Sequence, residues 1–227
     1  MNRPQYRDYG WGAKQLEALK KIEEGTSYED EHERSHSHRW LYIAGAPGSG
    51  KSAVILEAAI RLAKKGLRVL IVCPTGLLVH MYKASLPEID GVENIGVDTI
   101  QGVLKYKRPG PDGKIQWAPP SALRRIDAIL VDEASQYDDT EWTRFFVSIR
   151  EQPHEPFTAV VANLAQLQPV VSGGMCRRFC EGQDRVSLDT VYRSTDKEHL
   201  LFCNRIREKQ PTRLYGMGDT YGVGTGL

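Results

Sequence analysis

Residues 45 to 52 read Gly45-Ala46-Pro47-Gly48-Ser49-Gly50-Lys51-Ser52, a complete phosphate-binding loop of the form G-x-x-x-x-G-K-[ST]. Glycines let such a loop curl tightly, so that successive backbone N–H groups point at phosphate oxygens. Lys51 then supplies positive charge to the β- and γ-phosphates, and the Ser52 hydroxyl can bind Mg²⁺. The flanks fit, because residues 40–44 suit a buried strand and residues 53–60 a packed helix. The sequence therefore predicts a site for ATP and Mg²⁺; the alternative is a flexible Gly/Ser turn.

A second motif stands where an apolar run, residues 128–132, ends in Asp132-Glu133. We expect this run to be a buried strand beside the phosphate-loop strand, with Asp132 holding Mg²⁺ through water. Glu133 is then free to orient and deprotonate an attacking water. An acidic helix cap after a core strand is the alternative.

Strand and helix patterns alternate along the rest of the chain. A helix is predicted at residues 11–24, followed by a charged loop at 25–39, and a closing helix at 196–207 precedes a Gly-rich tail or linker at 209–227. Further strands are predicted at residues 68–73, 97–100, 157–162 and 185–188. Near-continuous apolar strands between helices indicate an α/β fold with a mostly parallel sheet covered on both faces.

Residues 104–119 interrupt this alternation with the pattern of a β-hairpin around a Pro/Gly turn. One arm is basic, including Lys107, and both arms are aromatic, with Tyr106 and Trp117. These two rings can stack on bases or wedge a fork. A surface hairpin with a core-facing Trp117 is the alternative.

Composition limits the class of protein. The chain has 227 residues, 41% hydrophobic and 26% charged, which suits one soluble globular domain with appendages. Its net charge of +1 gives no bulk attraction to nucleic acid, so a nucleic-acid site must be a local patch. No apolar stretch approaches the roughly 20 residues that cross a bilayer, and no signal peptide is visible. We expect an intracellular protein without a membrane segment, and leave nuclear, mitochondrial and cytoplasmic sites open.

The cysteines and histidines give weaker signals. No disulfide framework is readable from Cys73, Cys176, Cys180 and Cys203, which favours reduced thiols. Cys176 and Cys180 lie one helical turn apart and are either a ligand pair or buried bystander thiols. A cluster of histidines among acidic residues is either a metal site or a solvated charged loop: His32, His36 and His38.

Several motifs resemble those of superfamily 1 helicases. The family's second motif is similar to Asp132-Glu133-Ala134-Ser135-Gln136, its third to Gln166-Leu167-Gln168-Pro169-Val170, and its fourth to Leu188-Asp189-Thr190-Val191-Tyr192-Arg193. The resemblance runs in the family's order from residue 11 to about 208. The place of the hairpin resembles the 5′-to-3′ branch, which contains RecD-type enzymes and the telomere-maintenance DNA helicases. The RNA helicases of nonsense-mediated decay share the spelling of the second motif.

The resemblance implies a RecA-like, three-layer P-loop NTPase domain at residues 40–208 with ATP-dependent DNA helicase activity. It implies that Gln15 reads adenine, that Gln166 contacts the γ-phosphate and its water, and that Arg193 stabilises the transition state. Pro74-Thr75-Gly76 and Thr99-Ile100-Gln101 match motifs that touch single-stranded nucleic acid. The candidate contacts to single-stranded nucleic acid are therefore Thr75, Gly76, Thr99 and Gln101, together with Tyr106, Lys107 and Trp117 of the hairpin.

The chain departs from the family pattern in three places. Ala162-Asn163 stand where Gly-Asp is usual, Gln101 where histidine is common, and Val191 where a polar residue often precedes the tyrosine. None of these changes removes a group that handles Mg²⁺ or the attacking water.

The resemblance also implies a second RecA-like domain, which the residues after Arg193 do not supply. We therefore expect this chain alone to bind single-stranded DNA (or RNA), to hydrolyse ATP slowly and not to unwind a duplex. Two other functions stay open: a nucleotide-gated nucleic-acid-binding module with little or no hydrolysis, and a different P-loop enzyme such as a small-molecule kinase.

Overall fold

The computed structural model describes residues 10–27, 39–86, 91–105, 121–165 and 174–192. The strands in these ranges are β1 (Trp40–Gly45), β2 (Val69–Cys73), β3 (Ile95–Thr99), β4 (Ala128–Val131), β5 (Phe157–Ala162) and β6 (Asp184–Leu188). The helices are α1 (Ala13–Thr26), α2 (Lys51–Lys64), α3 (Gly76–Ser85), α4 (Ile100–Leu104), α5 (Asp139–Arg150) and α6 (Gly174–Glu181). Short 3-10 turns occupy Val92–Asn94, Ser121–Arg125 and Ala134–Gln136. Strands and helices alternate as the sequence predicts.

The six described strands form one sheet in the order β3-β2-β4-β5-β1-β6, and every pairing is parallel. This confirms the predicted α/β fold. The predicted neighbour relationship is wrong, because β5 lies between β1 and β4. Ala159 of β5 pairs with Leu41 on one side and with Leu130 on the other. Strands β1, β4 and β5 are all buried apolar runs, so an apolar pattern cannot encode which of them are neighbours.

Successive residues of the central strands face opposite sides of the sheet and feed two separate cores. Ile43 and Leu130 belong to the core that includes residues of α1, α2 and α3. Tyr42 and Val131 belong to the core that includes residues of α4, α5 and α6. The sheet is therefore covered on both faces, which gives the predicted three layers.

Several element boundaries differ from the sequence prediction by one or a few residues. Helix α1 continues to Thr26, so Gly25 is helical rather than part of the loop. A Cβ atom at Gly25 would lie 2.2 Å from the ring of Phe157, so glycine is needed where α1 approaches β5. Ile100 begins α4 instead of ending a strand, because the Thr99 hydroxyl accepts a hydrogen bond from the Gly102 N–H and caps that helix. Leu104, the first residue of the predicted hairpin, is the buried last residue of α4.

Several predicted elements fall outside the described residues: most of the charged loop (28–38), the hairpin from residue 106 onward, the closing helix (196–207) and the tail (209–227). Among the helices that the structure describes, none is both long enough and apolar enough to span a bilayer.

Because the strands are parallel, their carboxyl ends lie at one edge of the sheet, where ligands bind in open α/β folds. The phosphate loop follows β1, Thr75 follows β2, Thr99 ends β3, and Asp132 follows β4. The fold thereby collects segments that are far apart in sequence along a single edge.

Candidate nucleotide-binding site

The phosphate loop has the backbone that its glycines predict. Gly48 and Gly50 have φ angles of 81° and 82°, in the left-handed region that favours glycine. Gly45 instead ends β1 in extended backbone. Helix α2 begins directly after the loop at Lys51, so its positive end faces the place where phosphates would lie.

Lys51 is almost fully buried and its ammonium group is held by the loop itself. Its Nζ atom donates to the carbonyl oxygens of Gly45 at 3.1 Å and Ala46 at 3.0 Å. The side chain is 5% exposed, so its charge is poorly screened by water. A phosphate in the loop would meet this charge at close range.

The Ser52 hydroxyl joins the phosphate loop to the acidic motif. Its Oγ atom donates to Oδ2 of Asp132 at 3.1 Å, across 80 positions of sequence. Asp132 is fully buried, and its Oδ1 atom accepts from the Glu133 backbone N–H at 2.9 Å. The two predicted Mg²⁺ ligands therefore lie together, although their strands are not neighbours.

Asp132 is held by a further side chain that the sequence did not single out. The hydroxyl of Tyr82, on α3, donates to Oδ2 of Asp132 at 2.6 Å. Burial raises the pKa of Asp132 above its usual value, and the hydrogen bonds from Tyr82, Ser52 and the Glu133 N–H oppose that rise. Nothing in the local sequence marks Tyr82, because an aromatic residue on the buried face of a helix is ordinarily read as core.

Glu133 has the properties of a general base. Burial first, and then the charge of Asp132, raise its pKa, while Lys51 lowers it. Its Oε2 atom is buried and has no hydrogen-bond partner among the described residues. Glu133 also has a left-handed backbone, with a φ angle of 46°, which is uncommon for a residue other than glycine. A carboxylate with an unused oxygen and a raised pKa is suited to accepting a proton from water.

Gln15 and Tyr192, at opposite ends of the described residues, each donate a hydrogen bond to the phosphate loop. The Gln15 Nε2 atom donates to the carbonyl of Ser49 at 3.2 Å, and its Oε1 atom accepts from the Gly12 N–H at 3.0 Å. The Tyr192 N–H donates to the carbonyl of Gly48 at 2.8 Å. Helix α1 and the segment after β6 are thus anchored on the loop.

The donor set suits Mg²⁺. A hydroxyl and a carboxylate are the hard oxygen ligands that this ion prefers, and it usually binds through one or two carboxylates together with substrate phosphates. The described residues contain no group of three or more His, Cys, Asp or Glu side chains that could hold a metal by themselves. Ser52 and Asp132 therefore fit a metal that arrives with a nucleotide rather than a closed protein cage.

Comparison with known families agrees with this geometry. The family model AAA_30, described as an AAA domain, matches residues 31–222. The chain belongs to this family. Its fold is that of a RecA-like P-loop NTPase domain.

Individual relatives are more distant. The chain is 26% identical over 168 residues to the ATP-dependent RecD2 DNA helicase of Deinococcus radiodurans, an alignment that covers 72% of this chain and 21% of that protein. The fold is similar to Pif1 from Bacteroides sp., with a TM-score of 0.57, 18% identity and coverage of 90% of this chain and 47% of that one. For the Pif1 helicase of Candida albicans the TM-score is 0.59 at 16% identity, with coverage of 87% and 44%. The chain spans about a fifth of the length of the RecD2 helicase.

Four of the candidate contacts to single-stranded nucleic acid are among the described residues, and they lie at the same edge of the sheet as the phosphate loop. Thr75 caps α3, its hydroxyl accepting from the Leu78 N–H at 3.4 Å, and Gly76 is the first residue of that helix. Thr99 caps α4 in the same way. Gln101 is exposed, and its Nε2 atom donates to Oε1 of Glu141 at the start of α5. The Gln101 amide is therefore already paired with a carboxylate.

The remaining predicted site residues lie outside the described part of the domain: Gln166, Arg193, Tyr106, Lys107 and Trp117. Their roles stay predictions. The choice between a metal site and a solvated charged loop for His32, His36 and His38 also falls on residues outside this part. Cys176 and Cys180 are described, and each is 1% exposed in the core beneath α6, with Sγ atoms 3.9 Å apart. This environment favours buried packing thiols over a ligand pair.

Proposed function

We propose that this chain is the ATP-binding and ATP-hydrolysing motor domain of a DNA helicase, working together with a second RecA-like domain. The observation that carries the proposal is the 3.1 Å hydrogen bond between Ser52 Oγ and Asp132 Oδ2. It joins a complete phosphate loop to an Asp-Glu pair whose second carboxylate keeps an unpartnered oxygen. Binding of a Mg²⁺-nucleotide needs only the hydroxyl and the first carboxylate, whereas a second carboxylate with an unused oxygen suits activation of a water.

Each residue of the site has a role that follows from its surroundings. Lys51 binds the phosphates, and Ser52 with Asp132 holds Mg²⁺, which supplies positive charge to the phosphoryl group being transferred. Glu133 orients a water molecule and takes up its proton. Gln15, which is hydrogen-bonded to the loop, would read the adenine.

Contact with single-stranded DNA is proposed at the ends of the neighbouring strands. Thr75 and Gly76 form the N-terminus of α3, whose N–H groups and positive dipole suit a phosphate. Thr99 ends the adjacent strand β3, and Gln101 lies in the first turn of α4. The hairpin residues Tyr106, Lys107 and Trp117 follow in sequence. DNA is favoured over RNA because the similar RecD2 protein is named a DNA helicase.

The second RecA-like domain is part of the proposal because the ATPase site needs side chains from both domains. In this chain Gln166 would contact the γ-phosphate and couple hydrolysis to the nucleic-acid side, and Arg193 would stabilise the transition state. The partner domain would add a further arginine. Such an arginine is worth about 10³–10⁵ in rate in other phosphate-loop enzymes. The chain by itself is therefore expected to hydrolyse ATP slowly and to leave a duplex intact.

The test is an ATPase assay on the chain with and without single-stranded DNA, beside the Glu133→Gln variant. We expect slow hydrolysis that DNA accelerates, and a loss of about 10²–10⁴-fold in the variant, which keeps its nucleotide affinity. Equal rates in the two proteins would refute hydrolysis by this site. Nucleotide-dependent DNA binding without hydrolysis would instead support the alternative, a nucleotide-gated binding module.

One observation favours that alternative. Asn163 stands where the family usually has aspartate, and its Oδ1 atom accepts from the Ala165 N–H at 3.2 Å. The side chain is thus used in a local turn just after β5, rather than directed at a ligand.

A further inference from the structure

Tyr82 connects a helix outside the nucleotide site to the carboxylate inside it. The residue lies two turns along α3 from Thr75 and is 5% exposed. Its hydroxyl reaches Oδ2 of Asp132 at 2.6 Å, closer than the 3.1 Å of the Ser52 hydroxyl. A short hydrogen bond from a buried phenol to a carboxylate belongs to the strong, charge-assisted class.

The polar atoms of Asp132 are all accounted for. Its backbone N–H donates to Val72, and its carbonyl accepts from the hydroxyl of Tyr137 at 3.3 Å. Oδ1 accepts one hydrogen bond, from the Glu133 N–H, and Oδ2 accepts two, from Ser52 and Tyr82. A carboxylate offers about four acceptor positions. One position therefore remains, on Oδ1, and a metal-bound water can use it.

The hydroxyl of Ser52 cannot fix this arrangement alone, because its oxygen must also face Mg²⁺ in the function proposed above. The ring of Tyr82 packs in the core on the α1–α3 side of the sheet and holds its hydroxyl in place. The tyrosine thus supplies an anchor that does not depend on the nucleotide.

We propose that Tyr82 is a positioning residue for the Mg²⁺ site: its hydroxyl, supplied by α3, fixes the orientation of the Asp132 carboxylate. The inference rests on the proposed role of Asp132 as a Mg²⁺ ligand. Thr75, a candidate contact to single-stranded DNA, caps the same helix. The hydrogen bond between Tyr82 and Asp132 therefore also connects that helix to the carboxylate proposed to hold Mg²⁺.

The first test measures binding of a fluorescent ATP analogue to the chain in Mg²⁺ and in EDTA. In Tyr82→Phe the ratio of the EDTA Kd to the Mg²⁺ Kd should fall about tenfold, the scale of one hydrogen bond to a charged group. The EDTA Kd should stay within about twofold, because the phosphate loop is unchanged. Tyr137→Phe is the matched control: it removes another buried hydroxyl that contacts Asp132, but only at the backbone carbonyl, and the ratio should not change.

The second test needs no metal or nucleotide. Urea unfolding in EDTA is compared for wild type, Tyr82→Phe, Asp132→Ala and the double variant. Tyr82→Phe should lower the midpoint in the wild-type background and should not lower it once Asp132 is alanine, because the buried hydroxyl then has no carboxylate to bind. Additive changes would show that the hydroxyl does not act through Asp132.

The outcomes separate this inference from the proposed function. A wild-type Mg²⁺ ratio in Tyr82→Phe overturns the role of Tyr82 and leaves the proposed function standing. Nucleotide binding by the wild-type chain that is indifferent to Mg²⁺ overturns both.

Discussion

Ser52 and Asp132 share a 3.1 Å hydrogen bond although a whole strand, β5, separates the strands that lead to them. Ser52 is not on a strand but in the first turn of α2, which belongs to the core on one face of the sheet. Its side chain can therefore reach the end of β4 past the end of β5. The sequence correctly paired these two residues on an incorrect premise about strand order.

Lys51→Ala should abolish tight nucleotide binding without unfolding the chain. The variant removes the ammonium group that the described phosphate loop holds through the carbonyls of Gly45 and Ala46. A hydrogen bond from such a charged donor to a phosphate is worth about 1.5–3 kcal/mol. We expect the Kd for MgATP to rise at least tenfold, measured by isothermal titration calorimetry. Lys64→Ala, an exposed lysine in the last turn of the same helix, is the control and should bind as wild type.

Glu133→Gln should raise the thermal stability of the ligand-free chain at pH 8. The pKa of Glu133 is raised in the folded state, so its ionised form is disfavoured there relative to the unfolded chain. Stability associated with this group is fully present below the ordinary glutamate pKa and is lost as the pH rises through the raised value. Since the side chain is only half-buried and partly screened, we expect a gain in Tm of about 1–2 °C.

The difference in Tm between Glu133→Gln and wild type should disappear below about pH 4, where the carboxyl is neutral in the folded and unfolded states. Circular dichroism during thermal unfolding at pH 8 and below pH 4 measures this difference in Tm, with the exposed Glu151→Gln as a reference. A lower Tm for Glu133→Gln at pH 8 would contradict the assigned cause.

The pH dependence of hydrolysis should have an acid limb set by Glu133. A general base works only when ionised, and the raised pKa moves its loss of activity to a higher pH than for an ordinary glutamate. We expect kcat/KM, which reports the free enzyme, to fall about tenfold per pH unit below that pKa and to level off above it. A profile that stays flat down to pH 4.5 would argue against Glu133 as the base.

Glu141→Gln should strengthen binding of single-stranded DNA. The Glu141 carboxylate accepts a hydrogen bond from Gln101, so it places negative charge beside a candidate strand contact. Removing one charge near a phosphate is worth about 1 kcal/mol at a solvated site, or roughly fivefold in Kd. Glutamine keeps the acceptor that completes the capping box of α5 with Asp138, so the helix should be preserved.

Fluorescence anisotropy with a labelled oligonucleotide measures this effect at two salt concentrations. Glu151→Gln removes a charge at the far end of α5 and is the matched control. Equal gains in the two variants would show a general charge effect and not a local one at Gln101.

Sequence was sufficient for much of the site because its signals are local. The phosphate loop is one continuous segment whose glycines, lysine and serine are predicted to allow a tight turn, bind phosphate and bind Mg²⁺. Asp132-Glu133 directly follow an apolar run. The end of β3 was misplaced by one residue, because the capping bond of Thr99 is visible only once the helix after it is known. The pairing of Gln101 with Glu141 was not predicted, since it joins two helices that are distant in sequence.

By itself, the sequence determined the α/β alternation, the phosphate loop and the acidic pair, because periodicity and motif spacing are properties of short segments. Only the tertiary structure decided that β5 separates β1 from β4 and that Tyr82 holds Asp132. Strand order and contacts between helices depend on how apolar faces of similar pattern pack against one another. Such packing is a property of the whole domain, and no short stretch of residues specifies it.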